Sequence, residues 1–193
     1  MKSFMNINRL WISFRLLTIS SGMKRAAYLK KKQAFFSMGE NVMIQPRKLP
    51  LYPKLIRFGD NVRVASGVSF LTHDVIHKML NNLPENKGDM FREKIGCIDI
   101  GSNVFIGANS TIMYNVKIGN NVIIAAGSVV TKDIPDYSIC AGIPVKVIGD
   151  YYSFVDKRRK ENLFLKSVQY EETNIQHIWE AFYKDSKRKA VKG

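Results

Sequence analysis

Residues 100–135 read IGSNVFIGANSTIMYNVKIGNNVIIAAGSVVTKDIP, and the stretch divides without a gap into IGSNVF, IGANST, IMYNVK, IGNNVI, IAAGSV and VTKDIP. The leads Ile100, Ile106, Ile112, Ile118, Ile124 and Val130 recur every sixth residue. That period belongs neither to a helix nor to a simple alternating strand. Each unit opens on a β-branched residue, usually continues with a small one and contains turn formers, which describes a short strand, a turn and another short strand. Three such units close a triangular coil, and stacked coils make a parallel β-helix. Lead residues then point inward as ladders. The fifth positions Val62, Val68, Val104, Ser110, Val116, Val122 and Ser128 suit the narrow interior beside the corners. Gly59, Gly101, Gly107 and Gly119 are expected to supply the permissive backbone that corners need. Further copies, MGENVM from Met38, FGDNVR from Phe58 and VASGVS from Val64, extend the pattern toward the N-terminus. With roughly 4.8 Å between stacked strands, the repeats make a short prism of about four coils.

The phase holds to Phe70 and resumes at Ile100. The residues between form an excursion over 71–99, which carries THDVIHKM and thus His73 and His77, two of the three histidines. Loops on a rigid scaffold are where binding and catalysis concentrate. The organisation expected is a basic helical arm over 1–37, a β-helix over 38–149 and a basic helical extension over 150–193. Amphipathic spacing predicts helices over Lys24–Phe36, Tyr151–Lys166 and Asn174–Lys184.

Charge is unevenly spread. The formal net charge is +14 and the pI about 9.8. No acidic residue precedes Glu40, while Ile100 to Thr131 holds one charged residue, Lys117. Such an excess suits an anionic partner: nucleic acid, anionic lipid or a phosphorylated co-substrate. No aromatic-basic nucleic-acid motif accompanies it, so nucleic acid is not the expected partner. Cys97 and Cys140 have no metal-type spacing and read as packing residues in a reducing compartment. The run RLWISFRLLTIS, from Arg9, is interrupted by Arg15 and falls short of the roughly 18 residues a span needs, and no clear cleavage site follows. The chain is expected to be cytoplasmic, with its basic, aromatic arm (Trp11, Phe14, Lys24, Arg25, Lys30 to Lys32) suited to peripheral contact with an anionic membrane or to packing on the prism end.

The repeats together with AAGSVVTKDIP and AGIPVKVI resemble the hexapeptide-repeat acyltransferases, in particular the branch of maltose, galactoside and capsular or exopolysaccharide O-acetyltransferases. The resemblance covers about Met38 to Gly149. It implies left-handed winding, a homotrimer with active sites between subunits, and acetyl-CoA as co-substrate with no metal. It also implies that His73, in the THD motif, is the catalytic histidine, with His77 in reserve and both His77 and Asp74 on the acceptor side. For the coenzyme it implies Phe105 as a wall, Ala108 and Ala126 along the pantetheine arm, and Thr131, Lys132 and Lys146 toward the phosphates. The acceptor-side asparagine of the maltose and galactoside enzymes has no counterpart, because QPRKLPLYPKLIRFGDNV stands there; a different carbohydrate, a surface or capsular unit, is expected.

The chemistry fits these residue types. Moving an acetyl group to a sugar hydroxyl requires a base that takes a proton during attack, and imidazoles, ordinarily titrating near 6.5, are largely neutral at working pH. Positioned bases of this kind contribute typically about 10²- to 10⁴-fold. No acyl-enzyme is required, so neither cysteine need act as nucleophile. Backbone N–H groups near a corner would serve the developing oxyanion. Other readings are N-acetylation of an amino sugar or antibiotic on the same scaffold, a zinc hydratase, which would need three converging histidines that His73, His77 and His177 are not spaced to provide, and a non-catalytic trimeric scaffold.

Overall fold

The computed structural model describes residues 2–88, 90–167 and 175–190. It divides into two compact units, Met1–Tyr151 and Tyr152–Gly193. The first holds every strand. These are β1 (Ser37–Met38), β2 (Met43–Ile44), β3 (Ile56–Phe58), β4 (Arg63–Val64), β5 (Ser69–Phe70), β6 (Ile98–Ile100), β7 (Val104–Ile106), β8 (Thr111–Ile112), β9 (Val116–Ile118), β10 (Val122–Ile124), β11 (Val129–Val130), β12 (Ser138–Ala141) and β13 (Lys146–Asp150).

The chain visits three sheets in rotation, ordered β1-β3-β6-β9, β13-β12-β10-β7-β4-β2 and β11-β8-β5. Pairing is parallel except where β13 returns antiparallel on β12. Ladders keep the register of the repeat: Val64 faces Ile106, and Ile106 faces Ile124. The six leads from Ile100 to Val130 are all buried, as are all the fifth positions. Burying each such Ile or Val contributes roughly 1.5–3 kcal/mol, and this interior is the principal favourable term.

The corners work differently from the sequence expectation. Gly59, Gly101, Gly107 and Gly119 are not the residues with left-handed backbone. That conformation belongs to the fourth position of every unit but VTKDIP: Asn41, Asn61, Asn103, Asn109, Asn115 and Asn121, with φ between 53° and 58°, and Gly67 and Gly127. Asparagine tolerates this region because its short amide bonds locally. The second-position glycines are small because the next coil lies against them. A Cβ on Gly107 would sit 2.4 Å from the Ala126 nitrogen, and one on Gly101 2.6 Å from the Gly119 oxygen. The asparagines also form a ladder, Asn41 Nδ2 to Asn61 Oδ1 at 3.1 Å, then Asn61 to Asn103 and Asn103 to Asn121 at 3.0 Å each.

Two helices, α1 (Lys2–Thr18) and α2 (Gly22–Lys31), precede the first strand. The hydroxyl of Ser21 caps α2, accepting from Lys24 N–H. The helix stops at Lys31 rather than Phe36, because Gln33 turns left-handed at φ 48° and directs Ala34 and Phe35 into the core. Leu16, Ala26 and Leu29 are buried with them, and α2 packs against β2. The cysteine expectation holds for Cys140, stacked on Ile124 and with its thiol pKa pushed up by burial, but not for Cys97, which is exposed at a corner.

The excursion carries a short helix, α3 (Ile76–Leu80); α4 (Tyr151–Ser167) starts at the last residue of the first unit and runs into the second, which also holds α5 (Ile175–Ala190). In α5, Trp179 stacks on Tyr183 and meets Phe182 edge-on. The side chain of His177 lies outside the described residues. Among the described residues no helix is long and apolar enough to cross a membrane.

Candidate active site

The excursion leaves the prism after β5 and is stapled where it departs. His73 bridges antiparallel to Ile95, Asp74 N–H donates to Lys94 O at 3.0 Å, and Gly96 N–H donates to Thr72 O at 3.0 Å. The tip is held by the amide of Asn81, which donates to Phe91 O and accepts from Phe91 N–H, both at 2.9 Å. His73 therefore sits at the fixed root of a long loop, and His77 lies on the short α3 beyond it.

The imidazole of His73 is half-buried and packs edge-on against Tyr52, with ring centroids 5.4 Å apart. Its Nδ1 is shielded from solvent and has no partner among the described residues, and the same is true of His77 Nδ1. A buried ring nitrogen without a partner is costly in a finished structure and natural in a site that awaits a hydroxyl or a ligand.

Beside His73, Asp74 is fully engaged. Tyr114 donates its hydroxyl to Asp74 Oδ2 at 2.8 Å, and Ile76 N–H donates to Oδ1 at 3.2 Å. The bond to Asp74, with burial and the carboxylate's charge behind it, raises the Tyr114 pKa above the ordinary phenol value. Tyr114 also carries Lys94 over its ring face at 5.4 Å. Tyr52 is held in turn, donating to Glu93 Oε2 at 2.9 Å, and this bond raises its pKa. Sequence reading singled out neither tyrosine: each contacts the histidine's loop across coils, at separations that leave no local pattern.

Four of the six coenzyme-side candidates, Ala108, Ala126, Thr131 and Lys132, fall around the same three-stranded face. Tyr114 follows β8, and Thr131 and Lys132 follow the neighbouring β11 at the same corner; all of the latter two are exposed. Ala108 and Ala126 stack at the other edge of that face, joined by Gly127 N–H donating to Ala108 O at 2.8 Å. Their column offers a floor with no side chain beyond Cβ. Phe105 lies elsewhere, exposed on the six-stranded sheet with Arg63 and Ile123 as its strand neighbours. Lys146 is exposed on β13, opposite Ala141.

A family model, "Bacterial transferase hexapeptide (six repeats)", matches residues 98–132. Protein CapG of Staphylococcus aureus is 41% identical over 129 residues, 64% of this chain and 69% of CapG. The chain belongs to the bacterial hexapeptide-repeat transferases. Galactoside O-acetyltransferase of Escherichia coli K12, another member it resembles, is 34% identical over 144 residues, and the match spans 62% of this chain and 66% of that enzyme. Two solved hexapeptide-repeat structures superpose on it at 27% identity. A maltose O-acetyltransferase from Clostridium difficile 630 gives a TM-score of 0.56 over 77% of this chain and 88% of that one. A galactoside acetyltransferase in complex with coenzyme A gives 0.50 over 75% and 80%.

Proposed function

We propose that the protein transfers an acetyl group from acetyl-CoA to a hydroxyl of a carbohydrate, a unit of a surface or capsular polysaccharide, with His73 as general base. The observation that carries this reading is the His73 imidazole itself: rooted by the bridge to Ile95, walled by Tyr52, and presenting a nitrogen with no partner among the described residues. The kinship to galactoside and maltose O-acetyltransferases supports the reaction class, and the complex of a relative with coenzyme A supports the donor. The stretch QPRKLPLYPKLIRFGDNV, standing where the maltose and galactoside enzymes place their acceptor-side asparagine, supports an acceptor other than a simple galactoside.

In this mechanism His73 takes the proton from the acceptor hydroxyl as its oxygen forms a bond to the thioester carbonyl carbon. The imidazolium then returns that proton to the departing sulfur as the carbon–sulfur bond breaks, so the products are an acetyl ester and the free thiol. Ala108 and Ala126 give the pantetheine arm a flat floor; Thr131, Lys132 and Lys146 meet the phosphate end, and Phe105 forms a wall. His77 and Asp74 lie on the acceptor side, Asp74 acting through the loop it fixes. The coils wind left-handed, the segment 38–149 forms the catalytic prism between the two basic helical segments, and three copies share sites between subunits.

Thiol release from acetyl-CoA in the presence of polysaccharide repeat units tests the assignment. His73→Ala is expected to lower kcat about 10²-fold or more while coenzyme A binding persists. Near-normal turnover in the variant overturns the assignment of the base. Sedimentation at three times the 22.0 kDa chain mass is the expected assembly state.

A further inference from the structure

A cleft of about 820 Å³ lies between the N-terminal helices and the segment that leads from β2 to β3. That size falls within the roughly 300–1,000 Å³ of small-molecule sites. Trp11 and Ile12 of α1 form one wall, and Leu49 and Leu51 another. Tyr52 and Ile95 also line it, and both contact His73, one through its ring and one by a backbone bridge. Whatever fills the cleft therefore ends beside the proposed base.

Its charge is one-sided. Arg9, Lys32 and Lys54 line the cleft and no acidic residue does, among the described residues. The Arg9 guanidinium donates through Nη2 to Leu49 O at 3.3 Å, but its Nε is shielded from solvent and has no partner among the described residues. A desolvated cationic N–H calls for an anionic acceptor. Lys54 Nζ donates to Phe35 O at 3.3 Å, and Lys32 and Lys54 are exposed, so a free neutral sugar would leave the Arg9 Nε without an anionic acceptor and the apolar walls against water. A hydrocarbon chain carrying a phosphate satisfies both.

We infer, resting on the acetyl-transfer reading above, that this cleft receives the aglycone of the acceptor, a hydrocarbon chain joined through a phosphate or diphosphate to the sugar that is acetylated. The chain lies along Trp11, Ile12 and Leu49, the phosphate meets Arg9, Lys32 and Lys54, and the sugar reaches His73 past Tyr52. The acceptor is thus a lipid-linked glycan and not a finished polymer.

Farnesyl diphosphate, titrated onto the full-length protein by calorimetry, tests the ligand class without turnover. The expected result is one saturable site per chain, not displaced by coenzyme A, and weakened at least tenfold in the double variant Lys32→Glu, Lys54→Glu, whose exposed positions leave the fold intact by circular dichroism. A second arm compares acetylation of one sugar offered free, as its 1-phosphate and as its prenyl diphosphate conjugate. The expected kcat/KM is at least tenfold higher for the conjugate than for the free sugar, and this ratio collapses toward one in the double variant. Equal use of the three forms overturns the inference and leaves the enzyme reading standing. So does displacement by coenzyme A, which would make the cleft part of the donor site, or binding to phosphatidylglycerol vesicles without binding of farnesyl diphosphate. Saturable binding with no acetylation of any form would instead sink the enzyme reading and keep the ligand site.

Discussion

Tyr114 shows how much of the proposed site depends on a side chain that does no chemistry. Its hydroxyl is donated to Asp74, Asp74 also accepts from the Ile76 amide, and these two bonds fix the loop direction one residue after His73. We predict that Tyr114→Phe lowers kcat several-fold with KM for acetyl-CoA unchanged, and that Asp74→Ala does the same. Because Tyr114 acts through Asp74, the double variant should cost no more than Asp74→Ala alone; full additivity in a double-mutant cycle would remove the link. The pH dependence has a definite sign. The bond to Asp74 raises the folded-state pKa of Tyr114, so its contribution is complete below the ordinary phenol value near 10 and is lost as pH rises through the folded value. Phenolate absorbance should accordingly show late-titrating tyrosines in the intact protein and one fewer in Tyr114→Phe.

At the scale of the coil, two columns of small or polar residues do separate work. The fourth-position asparagines adopt the left-handed backbone and bond to one another, whereas the second-position glycines let coils approach. Asn103→Ala places a Cβ in the left-handed region and deletes two ladder bonds, so we expect about 2 kcal/mol of destabilisation in chemical denaturation. Asn103→Gly, which keeps the conformation, should cost about half of that. Gly107→Ala drives a Cβ into the backbone at Ala126 and should cost about 3 kcal/mol, since the three nearest atoms are all backbone of the next coil and have nothing to give. Equal losses for the two Asn103 variants would contradict the division of labour. The period itself was legible because buried leads and fifth positions recur with one chemistry each. The roles of asparagine and glycine were not, since both are generic turn formers until the distance between coils is known. His73 stood out as a candidate from the broken phase and the resemblance around it. Tyr52, Ile95 and Tyr114 were not, because what brings them to His73 is stacking and the return of the loop, neither of which has a sequence spacing.

The first unit as a whole depends on whether the N-terminal helices stay on the prism, because they supply the walls of the cleft. Two arginines reach in opposite directions across that junction. Arg25, on α2, is buried and donates to Ile44 O at 2.9 Å, to Ser20 O at 3.1 Å, to Ile19 O and to Gln45 Oε1. Arg47, beyond β2, donates to Leu16 O at 3.1 Å and Ile19 O at 3.2 Å at the end of α1, where helix carbonyls lack partners. Burial, and then repulsion from Arg47, lowers the Arg25 pKa, yet a guanidinium stays charged and its fork matches several carbonyls at once. Arg25→Leu keeps apolar bulk but strips those acceptors of their donor, and we expect a loss of about 3 kcal/mol. The loss should be local: trypsin should cut between the helices and farnesyl diphosphate binding should fall, while the strand signal melts near its original temperature because the ladders from Ile100 to Val130 are untouched. Arg25→Lys should recover little of this, since one ammonium does not span the same acceptors. A variant in which helices and strands melt together at a lowered temperature would instead mean that the helices are part of the prism's cooperative core, and that the cleft cannot open without unfolding the protein.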